Sequence, residues 1–332
     1  MKKKIAAIVL AACMALGMTA CGGNKDTQDG NGGSSASKES AKYHVGVCQL
    51  VQHEALDAAT QGFVDTLKKE FGDEIDIDIQ NAQNDSNTCS TIVNSFVSNQ
   101  YDLIMANATP ALQAAAAGTG DIPILATSVT EYGVALGIDD FRGTVGNNIS
   151  GTSDLAPLDQ QAQMIKDLFP EVKTVGILYC SAEANSKYQV DTVSAYLKDM
   201  GITANAYAFS DSNDLSTVAT DAVNDSDLIY VPTDNTVASN AGIIHNICMS
   251  AKVPVIAGEE GVCKEAGAAT LSISYYDLGV ATGNMAIKVL KGEADITQMP
   301  IEYAPEFTKK YNKTICEELG VKVPEDYIAI ED

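Results

Sequence analysis

Apolar positions fall into short runs separated by longer stretches with helical spacing, and the two kinds alternate along the chain. The runs VGVCQLV (45–51), IDIDIQNA (75–82), DLIMANA (102–108) and IPILATSV (122–129) have the length of buried strands. Helix-period stretches lie between them near 55–70, 88–99 and 110–117. After GNNISGTSD the series restarts with KTVGILYC (173–180), ITANAYAF (202–209), DLIYVPTD (227–234) and VPVIAGEE (253–260). Helices are expected near 186–199, 215–223 and 236–250. The two DLI runs stand about 125 residues apart, so the pattern reads as one unit written twice.

Strand–helix alternation builds a parallel sheet, because each crossover must return over a face to lay the next strand. The fold class expected is therefore α/β, with two similar Rossmann-like domains, each a parallel sheet with helices on both faces. Ligands of open parallel sheets sit beyond the carboxyl ends of the strands. Two stretches end there in short polar side chains: IMANATPALQA (104–114) and IYVPTDNTVAS (229–239). Facing copies would line a cleft between the domains. A further helix is expected over 277–291, with Lys288 and Lys291 in its last turn and Gly292 as its stop.

The ends of the chain change the setting. MKKKIAAIVLAACMALGMTAC has three lysines, an apolar run of about fourteen residues and small residues before Cys21, which is the layout of a secretory signal. Residues 1–20 are read as a signal peptide. Met18, Thr19, Ala20 and Cys21 resemble the bacterial lipobox, which makes Cys21 the lipidated first residue of the mature chain. Gly, Ser, Asn and Asp dominate the segment that follows, so 21–42 reads as a lipidated flexible tether. The expected location is extracytoplasmic, anchored by lipid to the bacterial cell membrane.

The formal charge is −23, and loss of the three signal lysines takes it to −26. Such a surface repels phosphate backbones, which argues against a nucleic-acid partner. Beyond Cys13 and Cys21, six cysteines remain: Cys48, Cys89, Cys180, Cys248, Cys263 and Cys316. With no CxxC and no cysteine-histidine spacing they do not suit a zinc site, and they read as mostly free, buried thiols rather than disulfides. No GxSxG, HExxH or GxxxxGK[ST] is present, so neither an enzyme nor a cofactor is expected.

HEALDAATQGFVDTL, NAQNDSNTC, ATPALQAAAAGTGDIPILATSVT, VGILYCSAEANS, IYVPTDNTVAS and SYYDLGVATGNMAIKVLKGE resemble the tryptophan/tyrosine-type substrate-binding proteins of ABC transporters. The resemblance runs from Tyr43 to the end. It implies the type I periplasmic-binding-protein fold, with lobes 43–150 plus 275–300 and 151–274 plus 301–332 joined by a three-segment hinge. It also implies a monomer that closes on a small solute and delivers it to an ABC permease driven by a separate ATPase.

Carried over residue by residue, the resemblance implies pocket positions at Gln49 to His53, Thr109, Pro110, Ser128, Val129, Asp154, Asn185, Ser186, Asp234, Asn235 and Glu259. An amino-acid ligand needs a desolvated carboxylate for its ammonium. Asp234 is the first choice and Asp154 and Glu259 the next; Asp234 equally fits a helix cap. Tyr275 and Tyr276, beside the second crossing, read as hinge packing. An aromatic amino acid is the favoured solute. A branched-chain amino acid, a nucleoside or a sugar on the same scaffold, or a sensor role toward a membrane receptor, are the alternatives. The absence of tryptophan weighs against a sugar, whose ring stacks on aromatics.

Overall fold

The computed structural model describes residues 41–304 and 306–331. The expected signal peptide, the expected lipidation site Cys21 and nearly all of the expected tether lie outside the described residues. The described residues form one compact unit.

The first lobe begins with β1 (Tyr43–Gln49), α1 (Glu54–Phe71), β2 (Ile75–Asn81), α2 (Ser86–Ser98), β3 (Leu103–Asn107), α3 (Thr109–Gly118), β4 (Ile124–Val129), α4 (Tyr132–Leu136) and β5 (Ile149–Ser153). The second continues with α5 (Leu158–Leu168), β6 (Thr174–Cys180), α6 (Ala184–Asp199), β7 (Thr203–Phe209), α7 (Ser212–Asn224) and β8 (Leu228–Val231). Next come α8 (Asn235–Ala238), α9 (Ala241–Ala251), β9 (Val255–Ala257), α10 (Glu260–Ala266) and β10 (Ala269–Ser272). The chain ends with α11 (Tyr275–Leu290), β11 (Glu302–Tyr303), β12 (Thr308–Tyr311), α12 (Lys313–Leu319) and β13 (Ile328–Ala329).

The sheets run β11-β5-β4-β3-β1-β2 and β13-β12-β10-β9-β8-β6-β7. Their central order is the same doubly wound one, and it reverses beside β1 and β3 in one sheet and beside β6 and β8 in the other, where such folds bind ligands. Every pairing is parallel except β10 with β12, which is antiparallel. The two parallel-sheet α/β lobes are as expected, and β12 runs against β10 because, after β11 pairs in the first sheet, the chain re-enters the second from the opposite direction.

Two strands carry the first sheet past the expected bounds at 150 and 300. β5 belongs to the first sheet through Ser153, and β11 pairs there at 302–303. The segments 149–153 and 302–303 thus sit in the first lobe. β5 reads ISGTS, too polar to announce a strand, yet it is buried throughout. A Cβ at Gly151, where φ is 147°, would stand 2.0 Å from Ala126 O, so only glycine passes there.

α11 leaves the second lobe and packs on α1 of the first. A Cβ on Gly279 would meet Ala59 O at 2.0 Å, and one on Gly62 would meet Tyr276 O at 2.1 Å. Missing side chains let the two backbones touch, which locks the helix returning from the hinge onto the first lobe. β8 stops at Val231 because Pro232 offers no N–H to the ladder. The single helix expected over 236–250 is two. Ser239 Oγ and Asn240 Nδ2 both donate to Thr236 O, at 3.1 and 2.8 Å, and displace the helical bond there.

Candidate functional site

Loops following β1, β4 and β5 in the first lobe, and β6, β8 and β9 in the second, line one small, tightly closed cavity between the lobes. Its walls carry His53, Ser128, Thr130, Asp154 and Tyr275 on one side and Asn185, Thr233, Asp234, Asn235 and Glu259 on the other. Leu56 and Ala238 add the apolar surface. Seven expected positions, His53, Ser128, Asp154, Asn185, Asp234, Asn235 and Glu259, therefore meet in one place.

The second lobe's wall is tied together by its own hydrogen bonds. Asp234 caps α8 through Oδ1, which accepts from Val237 N at 2.9 Å. Its Oδ2 accepts from Cys180 N and Ser186 Oγ, both at 2.7 Å. Glu183 sits behind it: Oε1 accepts from Thr236 N and Oγ1, while Oε2 accepts from Asn235 N, Asn235 Nδ2 and Asn185 Nδ2. Glu259 caps α10, accepting from Gly261 N and Val262 N at 2.6 Å.

The first lobe's wall is less complete. Asp154 Oδ2 accepts from Tyr275 Oη at 3.0 Å, but Oδ1 is buried without a partner. Ser128 Oγ and His53 Nδ1 are likewise enclosed and unpartnered, as is Asn185 Oδ1 across the cleft. Asn185 Nδ2 donates to Thr233 O at 3.0 Å, which fixes the amide with its oxygen left over. Ser128 takes φ 55°, and β4 shifts register against β5 between Ala126 and Val129. Ala108, next to α3, takes φ 91°. Such non-glycine outliers cost about 1–3 kcal/mol each and concentrate at ligand sites.

Gln49, Leu50, Val51, Gln52, Thr109, Pro110 and Val129 lie off the cavity, and so does Ser186, whose bond to Asp234 places it behind the wall. Gln49 is absorbed in a network under α1, donating to Val51 O and Asp57 and accepting from Thr60 Oγ1. Thr109 and Pro110 are buried in the first turn of α3. Val129 packs in the first lobe's core. Sequence reasoning missed Leu56, Thr130 and Ala238 as lining, and Glu183 as the support of Asn185, Asn235 and Thr236. Glu183 was visible in EANS, one residue before the helix that carries Asn185. Tyr275 serves both the hinge and the cavity, whereas Tyr276 is exposed and bonds Asp65.

Burial sets the electrostatics. It lifts Asp154 to about 6, with the Tyr275 hydrogen bond pulling the other way. It lifts Glu259 to about 7. Asp234 rises to about 8, first through burial and then through the charge of Glu183. No lysine or arginine lines the cavity. Burial also lowers His53 and keeps it neutral. The cavity thus holds carboxyl groups whose ionisation an ammonium would favour.

The lobes meet directly. His53 Nε2 lies 3.2 Å from Asn235 Oδ1, and Asn84 Nδ2 donates to Thr236 Oγ1 at 3.0 Å. Because Asn235 Nδ2 is taken by Glu183, the imidazole donates from Nε2 and Nδ1 is left an acceptor. Lys264 and Glu54 pair across the rim at 3.8 Å. The six cysteines among the described residues are buried and free. Among the described residues no helix is long and apolar enough to cross a membrane, and no side-chain cluster could hold a metal.

The model of a family described as ABC transporter substrate-binding protein matches residues 44–331. The chain belongs to that family. Its members bind small-molecule ligands outside the cytoplasm for ABC transporters. A tyrosine-binding protein of Clostridioides difficile (strain R20291) is 37% identical over 296 residues, covering 88% of this chain and 85% of that protein. An ABC domain of Streptococcus pneumonia in complex with L-Trp is 35% identical with TM-score 0.82, covering 86% of this chain and 97% of that one. A ligand-free, open substrate-binding protein with adhesive properties from Clostridium difficile is 39% identical, yet its TM-score is 0.66 over 87% of this chain and 99% of that one. Lobe rotation lowers a whole-chain score even where each lobe matches. The lower score of the more identical, open structure therefore accords with the closed lobes seen here.

Proposed function

We propose that this substrate-binding protein captures a zwitterionic amino acid, aromatic by preference, in the cavity between its lobes and delivers it to an ABC permease. The observation that carries this reading is the set of unpartnered buried atoms facing one another across the cleft. Asp154 Oδ1 and Asn185 Oδ1 are acceptors suited to an ammonium, and Ser128 Oγ is a donor suited to a carboxylate. Buried polar atoms are otherwise almost always paired, so a closed cavity with four open ones is built for something that completes it. The tyrosine-binding relative and the L-Trp complex support the aromatic preference. Asp234, whose two oxygens are already taken, serves as the platform of the site rather than as the ammonium's first partner. Cys21 carries the lipid that holds the protein at the outer face of the membrane, with 21–42 as tether and the body acting as a monomer.

The test is a thermal-shift panel on the compact unit Ser40–Asp332, run with the twenty amino acids, nucleosides and simple sugars. A ligand that binds only the folded state raises Tm with its excess over Kd. Stabilisation by tyrosine, tryptophan or phenylalanine is expected; a response confined to sugars or nucleosides would refute the zwitterion site.

A further inference from the structure

We infer that the imidazole of His53 is a partition that sets the length of ligand the closed cleft accepts, with an outer groove behind it that takes an amino acid extended at either end. This rests on reading the inner cavity as an amino-acid site. The groove, about 550 Å³ and open to solvent, lies between the start of α1 and the α8–α10 region. It shares three residues with the inner cavity: His53, Ala238 and Glu259.

The three differ in what holds them. Glu259 is fixed by two amides of the helix it caps. Ala238 is a Cβ on a helix. His53 stands at the N-cap position of α1 but makes no side-chain cap bond. Its ring is held by a single 3.2 Å bond to Asn235 of the other lobe, while its enclosed Nδ1 bonds nothing. An outward swing breaks one hydrogen bond and hydrates Nδ1, and removal of the ring unmakes no helix. Because Asn235 belongs to the opposite lobe, the partition assembles only on closure. Beyond it the groove offers Gln52, Asn240 and Asn246 for hydrogen bonding and Ile243 for an apolar group. Those groups suit a peptide amide or an added ring.

The experiment compares the wild-type protein with His53→Ala and His53→Phe in calorimetric titrations. The short ligands are L-tyrosine, L-tryptophan and L-phenylalanine; the long ones are O-benzyl-L-tyrosine and L-tyrosylglycine. The readout is the ratio of long-ligand to short-ligand affinity, which cancels any loss common to both. His53→Ala should raise that ratio at least about tenfold for one long ligand, while His53→Phe, which restores bulk without the hydrogen bond, should keep it near wild type. An unchanged ratio in His53→Ala, or wild-type protein that takes the long ligands as well as the short, would overturn the partition while leaving the site intact. Failure of all three short ligands to bind wild-type protein would overturn the site and the partition with it.

Discussion

The two strand-end stretches, 104–114 and 229–239, look alike in sequence and do different work. In the first lobe, Asn107 turns inward, donating to Leu56 O and Thr60 Oγ1, and Thr109 and Pro110 are spent in the first turn of α3. In the second, Thr233, Asp234, Asn235 and Ala238 all reach the cavity. The free groups of the first lobe come instead from β4 and β5, through Ser128 and Asp154. The second lobe presents a wall satisfied by its own donors except at Asn185 Oδ1, and the first presents three open atoms, at His53, Ser128 and Asp154. A pseudo-repeat can thus divide the labour of a site, one half supplying rigidity and the other supplying unmet hydrogen bonds for the ligand.

Substitution at the two aspartates breaks the comparison most sharply. Asp154→Asn should cost about 2–5 kcal/mol in amino-acid binding by calorimetry, because it removes the open carboxylate from a desolvated ammonium. Its unliganded Tm should hold or rise, since a buried acid lifted to about 6 becomes neutral. Asp234→Asn should act the other way. It would leave Cys180 N or Ser186 Oγ facing an amide donor and lower folding stability by about 1–3 kcal/mol in urea titrations. Equal binding losses with unchanged stability in both variants would erase the distinction between open and satisfied walls.

A pH series sharpens it further. Asp154, Glu259 and Asp234 sit at about 6, 7 and 8 in the folded chain, above ordinary carboxyl values. The folded state therefore holds more protons than the unfolded one between about pH 4 and 8, and unliganded stability should fall as pH rises through that window. Binding of an ammonium favours the ionised acid, so affinity should climb below pH 6, by at most about 1.4 kcal/mol per pH unit for one proton released, and then flatten. An affinity that falls over the same range would place the ammonium elsewhere. Smallest of all, Tyr275→Phe removes the hydroxyl that donates to Asp154 Oδ2 and should weaken binding by about 1 kcal/mol, with Asp154 driven higher still.

Alternating apolar runs made the two doubly wound sheets legible, because buried parallel strands cannot hide their Val, Ile and Leu content. β5 was illegible for the complementary reason: ISGTS lies buried with serine and threonine bonded inside, as Ser150 Oγ is to Met299 O and Thr152 Oγ1 to Thr127 Oγ1. β11, two residues long, carries no period at all. At the site, the sequence pointed to the polar strand ends but not to which atoms stay open, since Asp234 and Asp154 look equivalent until their donors are counted. Glu183, the acceptor of five hydrogen bonds, escaped because the short polar residues around it drew the reading.

The most direct measurement is calorimetric titration of the compact unit with L-tyrosine, L-tryptophan and L-phenylalanine, each beside its des-amino analogue, the arylpropionate. If Asp154 and Asn185 wait for an ammonium, at least one amino acid binds and its analogue loses about 2–5 kcal/mol of affinity. An analogue that binds as tightly as its amino acid would contradict the account.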